Sequence, residues 1–132
     1  MKEVLDFLKD AGFFYFATVD GDQPALRPFG FFMEFEGKLY FGTSETRNVY
    51  RQIQANPKFQ VAVVGKDMRW LRITGKAHFD SRPQVFDAAV AAQPQTFSRD
   101  KQNPDFIPAF FFVEDGDATI YTLPDQAKSI KL

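Results

Sequence analysis

The stretch Leu26-Arg27-Pro28-Phe29-Gly30-Phe31-Phe32 is rich in β-forming residues and combines an arginine, a proline and a glycine within four positions. A proline inside a strand is found at a sheet edge or a bulge, and a glycine permits close approach of another backbone or a ligand. We therefore predict an edge strand over residues 25–35. Arg27 is open to two interpretations, a surface residue beside the irregularity or a ligand-binding cation.

Apolar runs on both sides of this stretch, separated by turn sequences such as Asp20-Gly21-Asp22 and Glu36-Gly37, predict further strands joined by hairpins. The hairpin turn Asp115-Gly116 is expected to join the last two. The predicted strands are residues 13–19, 38–43, 59–64, 69–79, 109–114 and 118–123. With the strand over 25–35 they make seven. In the long strand over 69–79, Leu71 and Ile73 share the core face, and Trp70 and Arg72 share the other.

Three short helices are predicted around these strands. The first ends at Gly12, the second follows Thr43-Ser44-Glu45-Thr46 and ends at Asn56-Pro57, and the third begins at Asp80-Ser81-Arg82-Pro83 and ends after Ala92. Residues 95–108 are predicted as a loop with at most one helical turn. The expected fold is therefore mainly β, an antiparallel β-barrel of six to seven strands with peripheral helices, in a single domain over residues 1–132.

Composition excludes several chemistries. The 132 residues include 17 acidic and 16 basic side chains, one His and no Cys. We therefore expect no metal site and no cysteine nucleophile. The acidic residues stand mainly at predicted turns, and no paired-carboxylate or serine–histidine–aspartate constellation emerges, so we assign no catalytic side chain. The net charge of −1 and the lack of a long apolar segment predict no nucleic-acid partner, no membrane association and a cytoplasmic location.

Seventeen Phe residues are the unusual feature of the composition. Large flat side chains fill a barrel core, build a dimer interface or line a site for a planar ligand. We expect Phe13, Phe14, Phe16, Phe59, Phe79 and several of residues 110–112 to fill the barrel. Phe29, Phe31 and Trp70 are the candidates for an interface or for the surroundings of a flat ligand.

The segment Gly42-Thr43-Ser44-Glu45-Thr46-Arg47-Asn48 is a candidate anion site at a junction between a strand and a helix. Free N–H groups at the helix start, the hydroxyls of Thr43 and Ser44 and the Arg47 guanidinium suit a phosphate. Simple helix capping by Ser44 or Thr46 is the alternative. Because Arg27 is expected on a strand antiparallel to the one that ends at Thr43, two cations could converge on one anion.

Trp70 and His78 lie on the outward face of the strand over 69–79. Trp70 can abut a flat ring or anchor a subunit interface. For His78 we expect simple exposure rather than a role as a base, because the sequence positions no partner acid beside it.

The order of these features resembles the pyridoxamine 5'-phosphate oxidase-like flavoproteins over about residues 13–79. The segments that carry the resemblance are, in order, Arg27-Pro28-Phe29-Gly30-Phe31, Leu39-Tyr40-Phe41-Gly42-Thr43, the helix from Arg47-Asn48 to Asn56-Pro57, Val61 to Val64, and Trp70-Leu71-Arg72-Ile73-Thr74-Gly75. The resemblance implies a split β-barrel that forms a homodimer, with FMN at the subunit interface.

The resemblance also implies roles for individual residues. Arg27 and the main chain of Pro28, Phe29 and Gly30 would flank the flavin and its phosphate tail. Gly42, Thr43, Ser44 and Arg47 would hold the phosphate. Asn48 stands where the family frequently has Lys, and Trp70 stands where it has a Gln that contacts the ring.

The function implied is that of an FMN-dependent oxidoreductase acting on an unidentified small molecule. Pyridoxamine phosphate itself is not the expected substrate, because the last arginine is Arg99 and residues 125–132 lack the family's Arg-x-His segment. The chain is more similar to small bacterial members related to nitroimidazole reductases. The alternatives are a non-enzymatic dimer that binds or senses flavin or another small ligand, a purely structural dimer, and a deazaflavin or haem in place of flavin.

Overall fold

A computed structural model describes residues 1–100, 105–123 and 126–132, and within them the chain forms four helices and an eight-stranded antiparallel sheet. The elements are α1 (Lys2–Ala11), β1 (Phe14–Asp20), β2 (Gln23–Phe29), β3 (Phe32–Phe35), β4 (Lys38–Ser44), α2 (Asn48–Ala55), β5 (Lys58–Val64), β6 (Arg69–Phe79), α3 (Pro83–Ala92), α4 (Pro94–Asp100), β7 (Pro108–Thr122) and β8 (Gln126–Lys131). The mainly β class, the first three helices and the bounds of β6 confirm the prediction.

The strand order is β2-β1-β5-β6-β7-β4-β3, and β8 adds to β7. Only Gly30 and Phe31 join β2 to β3, which stand at opposite ends of that order. The three Cα–Cα steps from Phe29 to Phe32 span about 11 Å at most. The edges of a flat sheet of seven strands would lie roughly 29 Å apart. The sheet therefore curls until its two edges adjoin, which makes it a split barrel.

Side chains bridge the seam between the two edges. The ring of Phe14 in β1 lies 6.4 Å from that of Phe32 in β3 and 5.5 Å from that of Phe41 in β4, measured between centroids. These contacts join strands that share no backbone pairing. Ring packing therefore closes the barrel where hydrogen bonds do not.

The prediction of one strand over residues 25–35 was wrong, because the chain breaks at Gly30. In a continuous strand Phe29 and Phe31 would point to the same face. Phe29 instead packs inside the barrel, whereas Phe31 packs outside it against Phe97 and Phe110. Because Phe29 and Phe31 are only two positions apart but pack in different clusters, the chain has to change direction between them. Both rings are largely buried, Phe29 at 9% and Phe31 at 8% exposed, and their assignment to an interface or to the surroundings of a ligand stays a prediction.

A second correction concerns the end of the chain. Asp115-Gly116 is a bulge inside the single strand β7, not a hairpin turn. The register against β6 shifts between Thr74 and Lys76, and Asp115 has a φ of 50°. The bulge lets β7 change its second partner from β4 to β8 while it stays paired with β6. The strand β8 and the helix α4, placed where a loop was expected, were not predicted.

Stacked phenylalanines fill the barrel, as the composition suggested. The Phe16 ring stacks on Phe29 at 4.5 Å and on Phe59 at 4.9 Å, with interplanar angles of 9° and 10°. Phe14 is fully buried in the same cluster, and Phe79 packs against it. Phe13 is one exception, because its side chain is 78% exposed. Of residues 110–112 only Phe111 joins the barrel cluster, whereas Phe110 and Phe112 pack in the outer one. Burying rings of this size stabilises the barrel more than any other contribution.

The helices complete two layers. α1 and α2 pack on the barrel core, and α3 and α4 cover a smaller cluster outside β3, β4 and β7. None of the helices in the described ranges combines the length and the apolar character needed to cross a bilayer.

Candidate functional site

The turn between β4 and α2 is held by the hydroxyl of Ser44. Its Oγ accepts hydrogen bonds from the backbone N–H of Thr46, at 3.3 Å, and of Ile107, at 3.0 Å. The Oγ1 of Thr46 in turn donates to the carbonyl oxygen of Asp105 at 2.9 Å. Both hydroxyls thus tie the turn to the segment that leads into β7. Neither caps α2, so the capping interpretation was wrong.

The N-terminus of α2 is left without a side-chain cap. Arg47 occupies the N-cap position, is exposed and places its guanidinium 5.6 Å from the centroid of Phe106. Within the described residues no carboxylate forms an ion pair with Arg47. Asn48, the first helical residue, accepts a hydrogen bond from Arg51 at 3.1 Å. The unsatisfied N–H groups of a helix start carry partial positive charge, and Arg47 adds a full one.

Thr43 supplies a second polar group beside this turn. Its side chain is only 6% exposed, and its Oγ1 has no hydrogen-bond partner among the described residues. A buried hydroxyl without a partner costs free energy, so it is a position where a ligand oxygen would be stabilising.

Gly42 has a packing role. A Cβ at this position would lie 3.0 Å from the Phe110 ring and 3.1 Å from the Phe31 ring. The glycine therefore makes room for the outer aromatic cluster.

Arg27 lies under α2 and is engaged by neutral partners. Its guanidinium donates to the carbonyl oxygen of Phe16 at 3.2 Å, to Thr18 Oγ1 at 2.8 Å and to Gln52 Oε1 at 2.6 Å. Thr18 Oγ1 also donates to Gln52 Oε1 at 2.6 Å. Burial lowers the pKa of the Arg27 guanidinium from its ordinary value. The network pins α2 to β1 and β2.

Arg27 was expected on a strand that pairs with the one ending at Thr43, and this expectation was wrong. β2 pairs with β1 alone, whereas β4 pairs with β3 and β7. Because the predicted strand breaks at Gly30, only its second half, Phe32–Phe35, pairs with β4. Pro28, next to Arg27, is exposed on the outer face opposite Tyr15. Arg27 and Arg47 therefore approach α2 from different sides, one through Gln52 and one at the N-cap.

Trp70 lies in another part of the chain. Its ring stacks on Tyr121 at 4.3 Å, with Arg72 at 5.0 Å above it. Trp70 pairs with Tyr121 of β7, and Thr43 pairs with Ala109 of the same strand. Twelve residues separate those two positions on β7, roughly 40 Å of extended strand. One protomer therefore does not bring Trp70 to the β4–α2 turn.

A polar cluster that was not predicted lies next to the turn. Asp80 accepts hydrogen bonds from Tyr40 Oη at 2.8 Å and from Arg82 at 2.9 Å, and Arg82 also pairs with Glu36 at 2.9 Å. Arg82 lowers the pKa of Asp80 to about 2. Burial and then the bond to Asp80 raise the pKa of Tyr40 to about 12.

A cavity of about 220 Å³ lies between Asp80, Glu45 and Tyr50. It connects the polar cluster with the β4–α2 turn. In the sequence, only the helix start Asp80-Ser81-Arg82 pointed to this cluster. Its hydrogen bond with Tyr40 depends on long-range packing, which the sequence order does not reveal.

His78 does have an acidic neighbour. Its Nδ1 lies 3.1 Å from a Glu114 oxygen, and its ring stacks on Phe112 at 4.8 Å. The pairing of β6 with β7 creates this contact, which the sequence order does not reveal. Both side chains are exposed. In the part of the chain that the structure describes, no three His, Asp or Glu side chains form a group suited to a metal ion.

Comparison with known proteins gives one family. The family model for pyridoxamine 5'-phosphate oxidase matches residues 1–115. Among solved structures, a NimC/NimA family protein from Clostridium acetobutylicum is 37% identical, with a TM-score of 0.88 over 98% of this chain and 93% of that one. Among curated proteins there is no match to the chain.

Two more distant structures share the fold. A pyridoxamine 5'-phosphate oxidase-related, FMN-binding protein from Nostoc punctiforme is 16% identical, with a TM-score of 0.62 over 99% of this chain and 95% of that one. An FAD-binding protein from Mesorhizobium loti is also 16% identical, with a TM-score of 0.60 over 92% of this chain and 94% of that one.

Arg27 and Arg47 should contribute differently to the stability of the fold. Replacing Arg27 with Met should lower the free energy of unfolding by about 1–3 kcal/mol, because Thr18 and Gln52 lose the donor that they share. Arg47→Met should change it by less than about 0.5 kcal/mol, because Arg47 is exposed. Urea denaturation measures both. Equal losses in the two variants would show that Arg27 does not anchor α2.

Proposed function

The chain belongs to the pyridoxamine 5'-phosphate oxidase family, and we propose that it binds FMN and uses it to oxidise or reduce a small molecule other than pyridoxamine phosphate. The observation that carries the proposal is the uncapped N-terminus of α2, where the Arg47 guanidinium and the buried Thr43 hydroxyl have neither an ion pair nor a hydrogen-bond partner among the residues that the structure describes. Flavin-binding relatives with this fold support it.

The donor set at the β4–α2 turn fits a phosphate. The N–H groups at the start of α2, the guanidinium of Arg47 and the amide of Asn48 are all donors, and a helix N-terminus favours an anion. In this proposal Arg47, the N–H groups and the Thr43 hydroxyl bind the phosphate, and Ser44 shapes the turn. Arg27 positions α2 from below through Gln52. The family's frequent Lys at the position of Asn48 is replaced by a neutral donor, so Arg47 carries most of the positive charge.

When bound, FMN supplies the hydride and electron transfer, which explains why the chain needs few catalytic side chains of its own. The protein's part is to hold the phosphate, to exclude water from the ring and to shape the substrate side. The cavity beside Glu45 and Asp80 adjoins the turn and is the candidate for substrate entry.

The outer face of β2, β1 and β5 suits a second copy of the chain. Tyr15, Leu26 and Val64 are 57%, 67% and 78% exposed, and all three point outward on these neighbouring strands. Phe13, 78% exposed, extends the patch at the start of β1. Contiguous exposed apolar residues of this kind mark an interaction site. We propose that two protomers pack through this apolar patch, which lies toward the Phe13 end of the face.

A dimer also gives Trp70 a role in the site. Because Trp70 lies too far from the β4–α2 turn within one protomer, a flavin bound at that turn can meet the Trp70 of the second protomer only. Trp70 pairs with Val64 and so borders the proposed interface. The site is then shared, with phosphate ligands from one chain and the indole from the other.

Flavin affinity tests the phosphate site. Arg47→Gln should raise the Kd for FMN about tenfold to a hundredfold, because a charge-assisted hydrogen bond is lost. Lys9→Gln is the control, since it removes one exposed cation from another helix, α1, and it should change the Kd by less than about twofold. Quenching of flavin fluorescence measures both. Equal effects of the two substitutions would place the phosphate elsewhere.

Light scattering tests the dimer. The wild-type particle should have about twice the 15.1 kDa of one chain, because a second copy covers the apolar patch around Phe13, Tyr15 and Val64. The double variant Tyr15→Glu/Leu26→Glu should be monomeric and should lose FMN affinity with it. Leu123→Glu introduces the same charge at an exposed apolar residue outside this face, and it should leave the dimer intact. A wild-type monomer at micromolar concentration contradicts the shared site.

Redox turnover tests the enzymatic part of the proposal. A reduced nicotinamide should bleach the visible absorbance of the FMN-loaded protein, and a nitroaromatic or a quinone should restore it. The measurement is stopped-flow absorbance under anaerobic conditions, with free FMN at the same concentration as the control. If the loaded protein is reduced no faster than free FMN, the protein binds flavin without using it in catalysis.

A further inference from the structure

A groove opens on the outer face where β1 and β5 separate. The two strands pair only from Tyr15↔Ala62 to Ala17↔Gln60. β1 continues to Asp20, and β5 begins at Lys58, so their remaining residues face each other without a ladder. Thr18 and Phe59 turn their side chains into the core and leave backbone at the floor of the groove. We call this cavity of about 480 Å³ the β1–β5 groove.

The charged side chains of the groove are Lys58, Lys76 and Asp115. Lys58 and Lys76 are direct neighbours across β5 and β6, and both are exposed. No ion pair within the described residues includes either lysine. Like charges directly opposite on a sheet repel each other, so an anion placed between these two would be stabilising.

The rest of the groove lining indicates which uncharged part of a ligand would fit beside the lysines. Ala17, Val19 and Pro24 give one wall an apolar surface, and Gln60 donates to Thr74 Oγ1 at 3.1 Å on the other side. The volume lies within the range of small-molecule sites. A molecule that fits has an anionic group toward the lysine pair and an apolar body toward the β1 wall.

The β1–β5 groove is separate from the proposed flavin site. Lys58 follows the C-terminal end of α2, whereas the proposed phosphate site lies at the N-terminal end of the same eight-residue helix. Trp70 is six residues from Lys76 along β6, about 20 Å of strand. A ligand in the groove therefore need not displace FMN.

We propose that the β1–β5 groove is a second small-molecule site, which takes a carboxylate with an apolar body. The carboxylate binds between Lys58 and Lys76, and the body lies against Ala17, Val19 and Pro24. The proposed dimer contact lies toward the other end of this outer face, around Phe13, Tyr15 and Val64. Val19 is four residues from Tyr15 along β1, and Lys58 is six residues from Val64 along β5, so the groove stays open in the dimer. Binding there needs no flavin chemistry and stands independently of the proposed function.

Naphthoate is a suitable probe, and the protein is saturated with FMN beforehand so that the flavin site is occupied. Naphthoate should shift the amide resonances of Thr18, Phe59 and Gly75 in a ¹⁵N–¹H spectrum, and the titration gives a Kd. Lys58→Gln/Lys76→Gln should weaken binding at least about tenfold, because both cations that face the carboxylate are removed.

Two further variants separate the groove from general electrostatics. Lys9→Gln/Lys66→Gln makes the same change in net charge at exposed sites outside the groove, and it should alter the Kd by less than about twofold. Ala17→Leu narrows the apolar wall and keeps both lysines, so it should also abolish the shifts. Shifts confined to the β4–α2 turn, or equal weakening by the two lysine pairs, would overturn the proposal. Dispersed spectra of all variants verify that they fold.

Discussion

The two-residue connection between β2 and β3 is the constraint on which the rest of the structure depends. Gly30 and Phe31 join strands at opposite ends of the sheet order, so the sheet has to close on itself. The seam has no backbone ladder, and the rings of Phe14, Phe32 and Phe41 span it instead. This explains the excess of phenylalanine, because large rings fill a narrow barrel and bridge a gap that hydrogen bonds leave open.

Closure also fixes the position of α2. The helix packs on the barrel core through Val49 and Ile53, and Arg27 holds Gln52 from the β2 side. The N-terminus of the helix is thereby turned outward, uncapped, next to Arg47. The same closure leaves the outer faces of β2, β1 and β5 apolar and exposed. The proposed anion site and the proposed dimer contact thus both follow from the closure of the barrel. The distance to Trp70 would make the proposed flavin site one that two chains share.

Local features of the fold were predictable from the sequence, and long-range ones were not. Periodicity and turn residues located β6 and both of its faces, because burial there alternates along one strand. The break at Gly30 depends on Phe29 and Phe31 packing in different clusters, and the bulge at Asp115 depends on the register between β6 and β7. Both depend on residues far away in sequence, so a single chain segment does not predict them. In the same way, the position of Arg47 at a helix start was readable from local signals. The hydrogen bonds of Arg27 and the remoteness of Trp70 depend on register, which only the assembled sheet determines.

A crystal structure of the protein grown with FMN tests the central claim most directly. The account predicts two protomers packed through the outer faces of β2, β1 and β5. It places the FMN phosphate at the N-terminus of α2 within hydrogen-bond distance of Arg47, and the isoalloxazine ring next to Trp70 of the other protomer. A phosphate bound away from α2, or a flavin enclosed by a single chain, would contradict it.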